Sequence, residues 1–197
     1  MESKEAEGIM NRIFAGIVSF EPDIERLRCN IDAIAPQVCA VVIFDNGSSN
    51  YREIRKSIKN AVLIRSEKNL GIAAALNRLI RWGERKGYKW MISLDQDSVC
   101  PTDYVKDMLP LLDLKRVGIA APVIIDRSIG VVGHSPKGSY AEVRTCITSG
   151  AFNSIAAWCK VGGYDESMFI DSVDFEYCYR LRKHGYRVVQ SGKVWLL

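Results

Sequence analysis

The chain has 197 residues, 48% of them hydrophobic, enough to bury one good core without requiring a second large domain. Its 27 Lys and Arg against 23 Asp and Glu leave a formal net charge of +4, and outside Arg78 to Lys89 the charges form no long run, so no nucleic-acid partner is indicated. No apolar run reaches the roughly 18 to 20 residues of a membrane span, and the opening Met1-Glu2-Ser3-Lys4-Glu5-Ala6-Glu7 is too acidic for a signal peptide, so the expected compartment is the cytoplasm.

In chain order, Ile13 to Val18 reads as a strand, and Pro22-Asp23 opens a helix with Asp23 as its N-cap and Ile24, Leu27, Ile31 and Ile34 at helical spacing. Val38 to Phe44 reads as a second strand, Tyr51, Ile54 and Ile58 mark a short helix, and Ala61 to Ile64 reads as a third strand. A helix over Asn69 to Gly83 follows, with Ile72, Ala75, Leu76 and Leu79 inward, and then a fourth strand, Trp90 to Leu94. Apolar strands separated by helices predict a mainly parallel sheet covered on both faces, and such sheets bind ligands beyond the carboxyl ends of their strands. Further on, Thr102 to Leu112 reads as a helix and Val117 to Ile125 as a strand. Residues 126–145, with Gly130, Gly133, Pro136 and Gly138, read as a hairpin or a mobile loop, Cys146 to Ser149 as one more strand, and a last helix begins near Asp171. The organisation is one domain over 1–197, with 12–100 as a nucleotide-binding half and 101–197 completing the cleft. The six cysteines, Cys29, Cys39, Cys100, Cys146, Cys159 and Cys178, include no Cys-x-x-Cys pair and read as reduced thiols.

The chemistry concentrates at the end of the fourth strand. In Asp95-Gln96-Asp97 the two acids fall on the same side of an extended chain and can converge on one guest, for which Mg²⁺ or Mn²⁺ is suited. Exposed loop acids are the simpler explanation of such a pair alone. Asp45-Asn46-Gly47-Ser48 follows the second strand, placing Asp45 at the same sheet edge, although that tetrapeptide is also good turn chemistry. Asn69-Leu70-Gly71 runs through small residues to Asn77; it either lets an anionic ligand approach a helix N-terminus or only caps and packs the helix. A helix from Asp171 puts Asp171, Asp174, Cys178 and Leu181 on one face, with Asp174 either a chemical group or a charge at the helix's positive end, and Glu176 with Arg180 as an i,i+4 ion pair. His134 and His184 lie in no ligand-spaced cluster and read as surface residues.

In this order the segments resemble the nucleotide-sugar-dependent glycosyltransferases of family 2, whose GT-A fold is a Rossmann-like three-layer α/β/α sandwich with a mainly parallel central sheet. The resemblance runs from about Arg12 to the chain's end. It rests on Ser19-Phe20-Glu21-Pro22, Asp45-Asn46-Gly47-Ser48, Asn69-Leu70-Gly71 through Asn77, Asp95-Gln96-Asp97, Gly162-Gly163-Tyr164-Asp165-Glu166 and the Asp174 to Arg182 helix. The Ser149-Gly150 turn with Phe169 to Asp174 looks most like the rhamnosyltransferase branch, which uses a dTDP-sugar.

The resemblance implies that Phe20, Glu21 and Asp45 line the nucleoside pocket, with Asn69, Gly71, Asn77 and Gln96 also on the nucleotide-sugar side. It implies that Asp95 holds the ribose or the metal, Asp97 the metal, and that Asp174 is the base of an inverting displacement. Donors would be dTDP-, UDP- or GDP-sugars and acceptors glycans or lipid-linked glycans, with peripheral contact at the inner membrane face through Arg78, Arg81, Arg85, Lys86 and Lys89; a solvated helix face explains that stripe more simply. Two departures stand out. Val173 precedes Asp174 where many relatives carry Glu, and the chain stops at Lys193-Val194-Trp195-Leu196-Leu197 where relatives continue with a histidine and acceptor-binding helices, as a trimmed chain would. The competing readings are a nucleotidyltransferase, an Asp-x-Asp phosphatase and a non-catalytic nucleotide-sugar-binding fragment. The sequence leaves donor base, sugar, acceptor and oligomeric state open.

Overall fold

The computed structural model describes residues 12–126 and 128–197; the acidic segment Met1 to Glu7 lies outside the described residues. Within them the strands are β1 (Ile13–Ser19), β2 (Val41–Asp45), β3 (Val62–Arg65), β4 (Trp90–Asp95), β5 (Val117–Asp126), β6 (Gly130–Val132), β7 (Tyr140–Glu142), β8 (Phe152–Ser154) and β9 (Arg187–Leu196). The helices are α1 (Ile24–Ile34), α2 (Tyr51–Ser57), α3 (Ile72–Arg85), α4 (Tyr104–Leu112), α5 (Ile155–Val161) and α6 (Val173–Lys183). All nine strands join one sheet in the order β3-β2-β1-β4-β8-β5-β9-β7, with β6 paired to β5.

Alternation along the strands makes this a three-layer sandwich. Ile13, Ala15 and Ile17 of β1, with Val41 and Ile43 of β2, face a core closed by Leu27, Ile31 and Ile34 of α1 and by Tyr104, Val105 and Met108 of α4. Phe14, Val42 and Phe44 face the opposite core, closed by Leu76 and Leu79 of α3, Trp158 of α5 and Tyr177 and Leu181 of α6. β1 lies parallel between β2 and β4, pairing Ser19 with Asp45 and Val18 with Asp95, so the loops leaving all three strands emerge at one edge. The parallel run ends there, because β8 is antiparallel to both β4 and β5. Among the described residues, no helix is long and apolar enough to cross a membrane.

Several expected boundaries move for local reasons. The Asp23 cap is present, its Oδ1 accepting from Arg26 N at 2.9 Å. β2 starts at Val41 because Ala35–Gln37 forms a 3₁₀ turn, in which the Gln37 side chain donates to Ala33 O and Pro101 O. α3 starts at Ile72 after Gly71, whose φ of 82° breaks the helix before Asn69 can enter it. Cys146 to Ser149 is not a strand: Thr148 O accepts from Ser93 Oγ at 2.5 Å and Gly150 N donates to Ser93 O at 2.7 Å, which tie the segment into a turn ahead of β8. The 126–145 segment contains a hairpin, β5 pairing with β6 from Asp126↔Gly130, and β7 then adds to β9. α6 begins at Val173, so Asp171 is exposed ahead of it and does not share a helical face with Asp174. Ser172, at φ 62°, takes the cap position without a side-chain hydrogen bond.

Asn77 is a joint of the fold. Its Nδ2 donates to Tyr164 O and Glu166 Oε1, and its Oδ1 accepts from Trp158 Nε1 and Tyr164 N, all at 2.9 Å. These bonds lock α3 to α5 and to the Gly162-Gly163-Tyr164 turn. With every hydrogen-bonding position of its amide used, Asn77→Ala strands buried partners and should cost about 2 to 4 kcal/mol in denaturant unfolding; an unchanged midpoint would contradict the joint. A second constraint lies at Gly83, where an added Cβ would fall 2.2 Å from the ring of Phe14, itself fully buried against Trp82 and Tyr88. Gly83→Ala gains about 1 kcal/mol of helix propensity but overpacks a closed core, so a net loss of about 1 to 3 kcal/mol is expected. A stabilised Gly83→Ala variant would show that the contact yields.

Candidate functional site

The loops leaving β1, β2 and β4 are laced to one another. Phe20 N donates to Gln96 Oε1 (2.9 Å), and Glu21 N donates to Ser48 Oγ (2.9 Å). Glu21, at φ 47°, accepts from Ser49 N and Oγ, and these bonds hold its carboxyl below the ordinary value. Asn46 spans to the next loop: its Nδ2 donates to Asn69 Oδ1 and its Oδ1 accepts from Leu70 N, both at 2.9 Å, while Asn69 Oδ1 also accepts from Gly71 N. Asn69 is therefore an organiser of the loop, not a helix cap.

Between these loops lies a cleft of about 330 Å³, lined by Val18, Phe20, Asn46, Asn69, Gly71, Ile72, Asp95, Gln96, Asp97, Phe169 and Ile170. Ile72 N donates to Phe169 O at 2.7 Å, and a Cβ on Gly71 would sit 2.5 Å from that same oxygen. Only glycine lets the segment before α6 lie so close over the start of α3. Phe169 and Ile170 stay 55% and 68% exposed, a pair of large apolar side chains at the mouth of the cleft. Asp45, directly before Asn46, is fully buried; its Oδ1 accepts from Ser48 N at 3.2 Å, while Oδ2 has no hydrogen-bond partner and lies 3.8 Å from Arg65 Nε. Arg65 in turn packs over the ring of Tyr51.

The acids meet on the other side of the cleft. Asn30, buried on α1, donates from Nδ2 to Asp95 O at 2.6 Å and fixes the end of β4. The Asp95 carboxyl is held above the ordinary value by crowding from surrounding protein and by the charges of Asp97 and Asp174, against a hydrogen bond from Ser149 that lowers it. Asp174, half-buried in the first turn of α6, accepts from Thr148 N at 3.3 Å. So Asp95, Asp97 and Asp174, from β4, its following loop and α6, are brought into one electrostatic neighbourhood. Among the described residues, no group of three or more His, Cys, Asp or Glu is placed to hold a metal ion alone. A pair of carboxylates whose mutual repulsion a cation would relieve nevertheless fits a hard divalent ion that takes its remaining ligands from water and phosphate.

The structure thus gathers Phe20, Asn69, Gly71, Asp95, Gln96 and Asp97 at the cleft and sets Asp45, Glu21 and Asp174 beside it, but not Asn77, which is spent on the protein itself. Gln96 reaches Phe20, away from its flanking acids. Glu176 and Arg180 do pair, with Arg180 also donating to Val161 O. The cationic stripe is interrupted, since Arg81 lies 3.9 Å from Glu166 and faces the Trp158 ring, while Arg78, Arg85, Lys86 and Lys89 are exposed. His134 and His184 are exposed. Sequence reasoning missed Asn30, Asn46 and Thr148 as positioning groups and Phe169 and Ile170 as cleft walls. For Asn30 a signal existed, a polar residue three positions after Leu27 on the buried face of α1.

Comparison with known proteins agrees with this geometry. The family model described as glycosyl transferase family 2 matches residues 20–161, well over half of the chain. The dTDP-rhamnosyl transferase RfbF of Shigella flexneri is 32% identical over 191 residues, covering 89% of this chain and 64% of that protein. The succinoglycan biosynthesis protein ExoA of Rhizobium meliloti (strain 1021) is 27% identical over 192 residues, covering 86% and 56%. The chain thus spans roughly six tenths of the length of these curated relatives. Among solved structures, GalNAc-T7 with UDP, GalNAc and Mn²⁺ superposes with a TM-score of 0.76 at 12% identity, covering 95% of this chain and 43% of that one. TarS 1–349 of S. aureus in complex with UDP gives 0.70 at 15% identity, covering 94% and 59%. At such low identity these two speak for the fold alone, which is the Rossmann-like GT-A sandwich. With the family model laid over α1 to α5, from the loop that leaves β1 onward, the chain belongs to glycosyl transferase family 2.

Proposed function

We propose that the cleft binds a nucleoside-diphosphate sugar and that the chain carries out an inverting transfer of that sugar, rhamnose on the kinship with RfbF, to a hydroxyl of a glycan or lipid-linked acceptor. The observation that carries this reading is the convergence of Asp95, Asp97 and Asp174 beside a pocket whose far wall is Phe20, Asn46, Asn69 and Gly71. Asp45 Oδ2, at the end of β2 beside the cleft, has no hydrogen bond and only the Arg65 guanidinium at 3.8 Å, and the ring N–H shared by thymine and uracil is a donor that would suit it. Phe20 offers a face for the base. Glu21 holds the Ser48-Ser49 turn in place, and Gln96 ties that side to the acids through Phe20 N.

Asp95 and Asp97 are the residues that would hold Mg²⁺ or Mn²⁺, which when bound offsets the charge of a departing diphosphate. Asp174 accepts the proton of the acceptor hydroxyl as its oxygen attacks the anomeric carbon from the face opposite the diphosphate. Thr148 N–H orients that carboxylate, and Ser93 Oγ in turn holds Thr148 O. Phe169 and Ile170 give the cleft an apolar mouth on the side of α6.

General-base assistance is worth about 10² to 10⁴ in rate, so Asp174→Asn should lower turnover by that factor while donor affinity stays within about twofold. Transfer from dTDP-rhamnose, UDP-sugars and GDP-sugars, with donor binding measured separately, checks this. Near-normal turnover in Asp174→Asn would remove the base from this residue.

A further inference from the structure

The mechanism leaves one close pair of thiols unused. Cys146 and Cys178 bring their sulfurs to 3.9 Å in a buried contact, Cys178 0% and Cys146 9% exposed. Both are free thiols. Cys178 lies one helical turn beyond Asp174 on α6, and Cys146 lies two residues before Thr148, whose N–H is held by Asp174. The pair therefore bridges the same two segments as the Thr148–Asp174 hydrogen bond. Cys146 belongs to neither strand nor helix, and it borders a cavity of about 180 Å³ whose other walls include Ile124, Phe175, Gln190 and the exposed His134, a route by which a small oxidant reaches it.

We propose that Cys146 and Cys178 are a modification site, a reversible intrachain disulfide that reports the oxidant level to the Asp174 side of the cleft. Its effect on turnover rests on the role given above to Asp174; formation of the bond does not. The co-reactant is hydrogen peroxide. Its O–O bond breaks as an S–O bond forms on Cys146, giving a sulfenic acid and one water. Cys178 sulfur then attacks Cys146 sulfur, the S–S bond forms, the S–O bond breaks, and hydroxide leaves with the Cys178 proton as a second water. Two thiols lose two electrons and the peroxide gains them. Access sets this order, since Cys146 borders the cavity while Cys178 is fully enclosed; the first step is slow, because the contact with Cys178 and burial hold the Cys146 thiol well above its ordinary value. A disulfide S–S bond is about 2.05 Å, so the sulfurs must close by roughly 1.9 Å, with the 146–148 segment, which lies outside any strand or helix, moving toward α6. That shifts the amide that orients Asp174.

The test treats the full chain with hydrogen peroxide, blocks remaining thiols, and maps cross-linked peptides by mass spectrometry beside transfer kinetics and dTDP binding. Expected are a Cys146–Cys178 peptide, turnover lower by about 10- to 100-fold with dTDP affinity unchanged, and reversal of both effects by dithiothreitol. Cys146→Ser, in the loop, and Cys178→Ala, in the helix, should each keep turnover and lose peroxide sensitivity. The site is refuted if the exposed Cys29, Cys39 and Cys159 are modified while Cys146 and Cys178 stay reduced. The coupling is refuted if the cross-linked protein transfers as fast as the reduced one. A reduced chain that transfers no sugar sinks the functional reading instead, and the mapped peptide still decides the disulfide.

Discussion

Like charges held together are the constraint around which this molecule is arranged. Asp95, Asp97 and Asp174 come from β4, the loop after it and α6, and the Asp95 carboxyl is raised first by burial and then by the charges of the other two. Left to electrostatics they would separate, so the surrounding fold must hold them. Asn30 does this from one core by gripping the Asp95 carbonyl, while Ser149 donates to the Asp95 carboxylate from the turn before β8. Thr148 does it for Asp174. A cation held at such a cluster would offset its like charges.

The opposite wall is built on a different economy. Its loops are stitched by side-chain amides, Asn46 to Asn69 and Gln96 to Phe20, with Glu21 clamping Ser49. Rigid, polar and partly apolar, it suits a planar base more than a phosphate. The segment from Tyr164 to Ser172 ties the two walls together: Asn77 anchors its start, Gly71 admits Phe169 above α3, and the chain then turns at Ser172 into α6. Movement of this segment would change the cleft mouth and the Asp174 end together.

Much of this was legible in the residues. Strand alternation and helical spacing in β1 to β4 carried the layered fold, and the position of Asp95 and Asp97 after β4 placed the acids at the correct sheet edge. What escaped was long-range pairing. Cys146 to Ser149 is apolar enough for a strand, but Ser93, more than fifty positions away in the chain, takes its hydrogen bonds and turns it. Asn77 reads as part of a ligand motif because it shares a segment with the cleft-lining Asn69 and Gly71, whereas its partners, Trp158, Tyr164 and Glu166, lie over eighty positions later. Asp171 seemed equivalent to Asp174 until a left-handed Ser172 started the helix between them. No local pattern encodes such pairings.

In the proposed function, Asp95 and Asp97 would hold a divalent ion that offsets the charge of the donor's diphosphate. Calorimetric titration of Mn²⁺ with and without dTDP, on the chain and on Asp97→Ala, tests it most directly. Each ligand should tighten the other by the same factor, as linkage requires, and Asp97→Ala should abolish the coupling. Mn²⁺ affinity unchanged by dTDP, or coupling that survives in Asp97→Ala, would contradict the account.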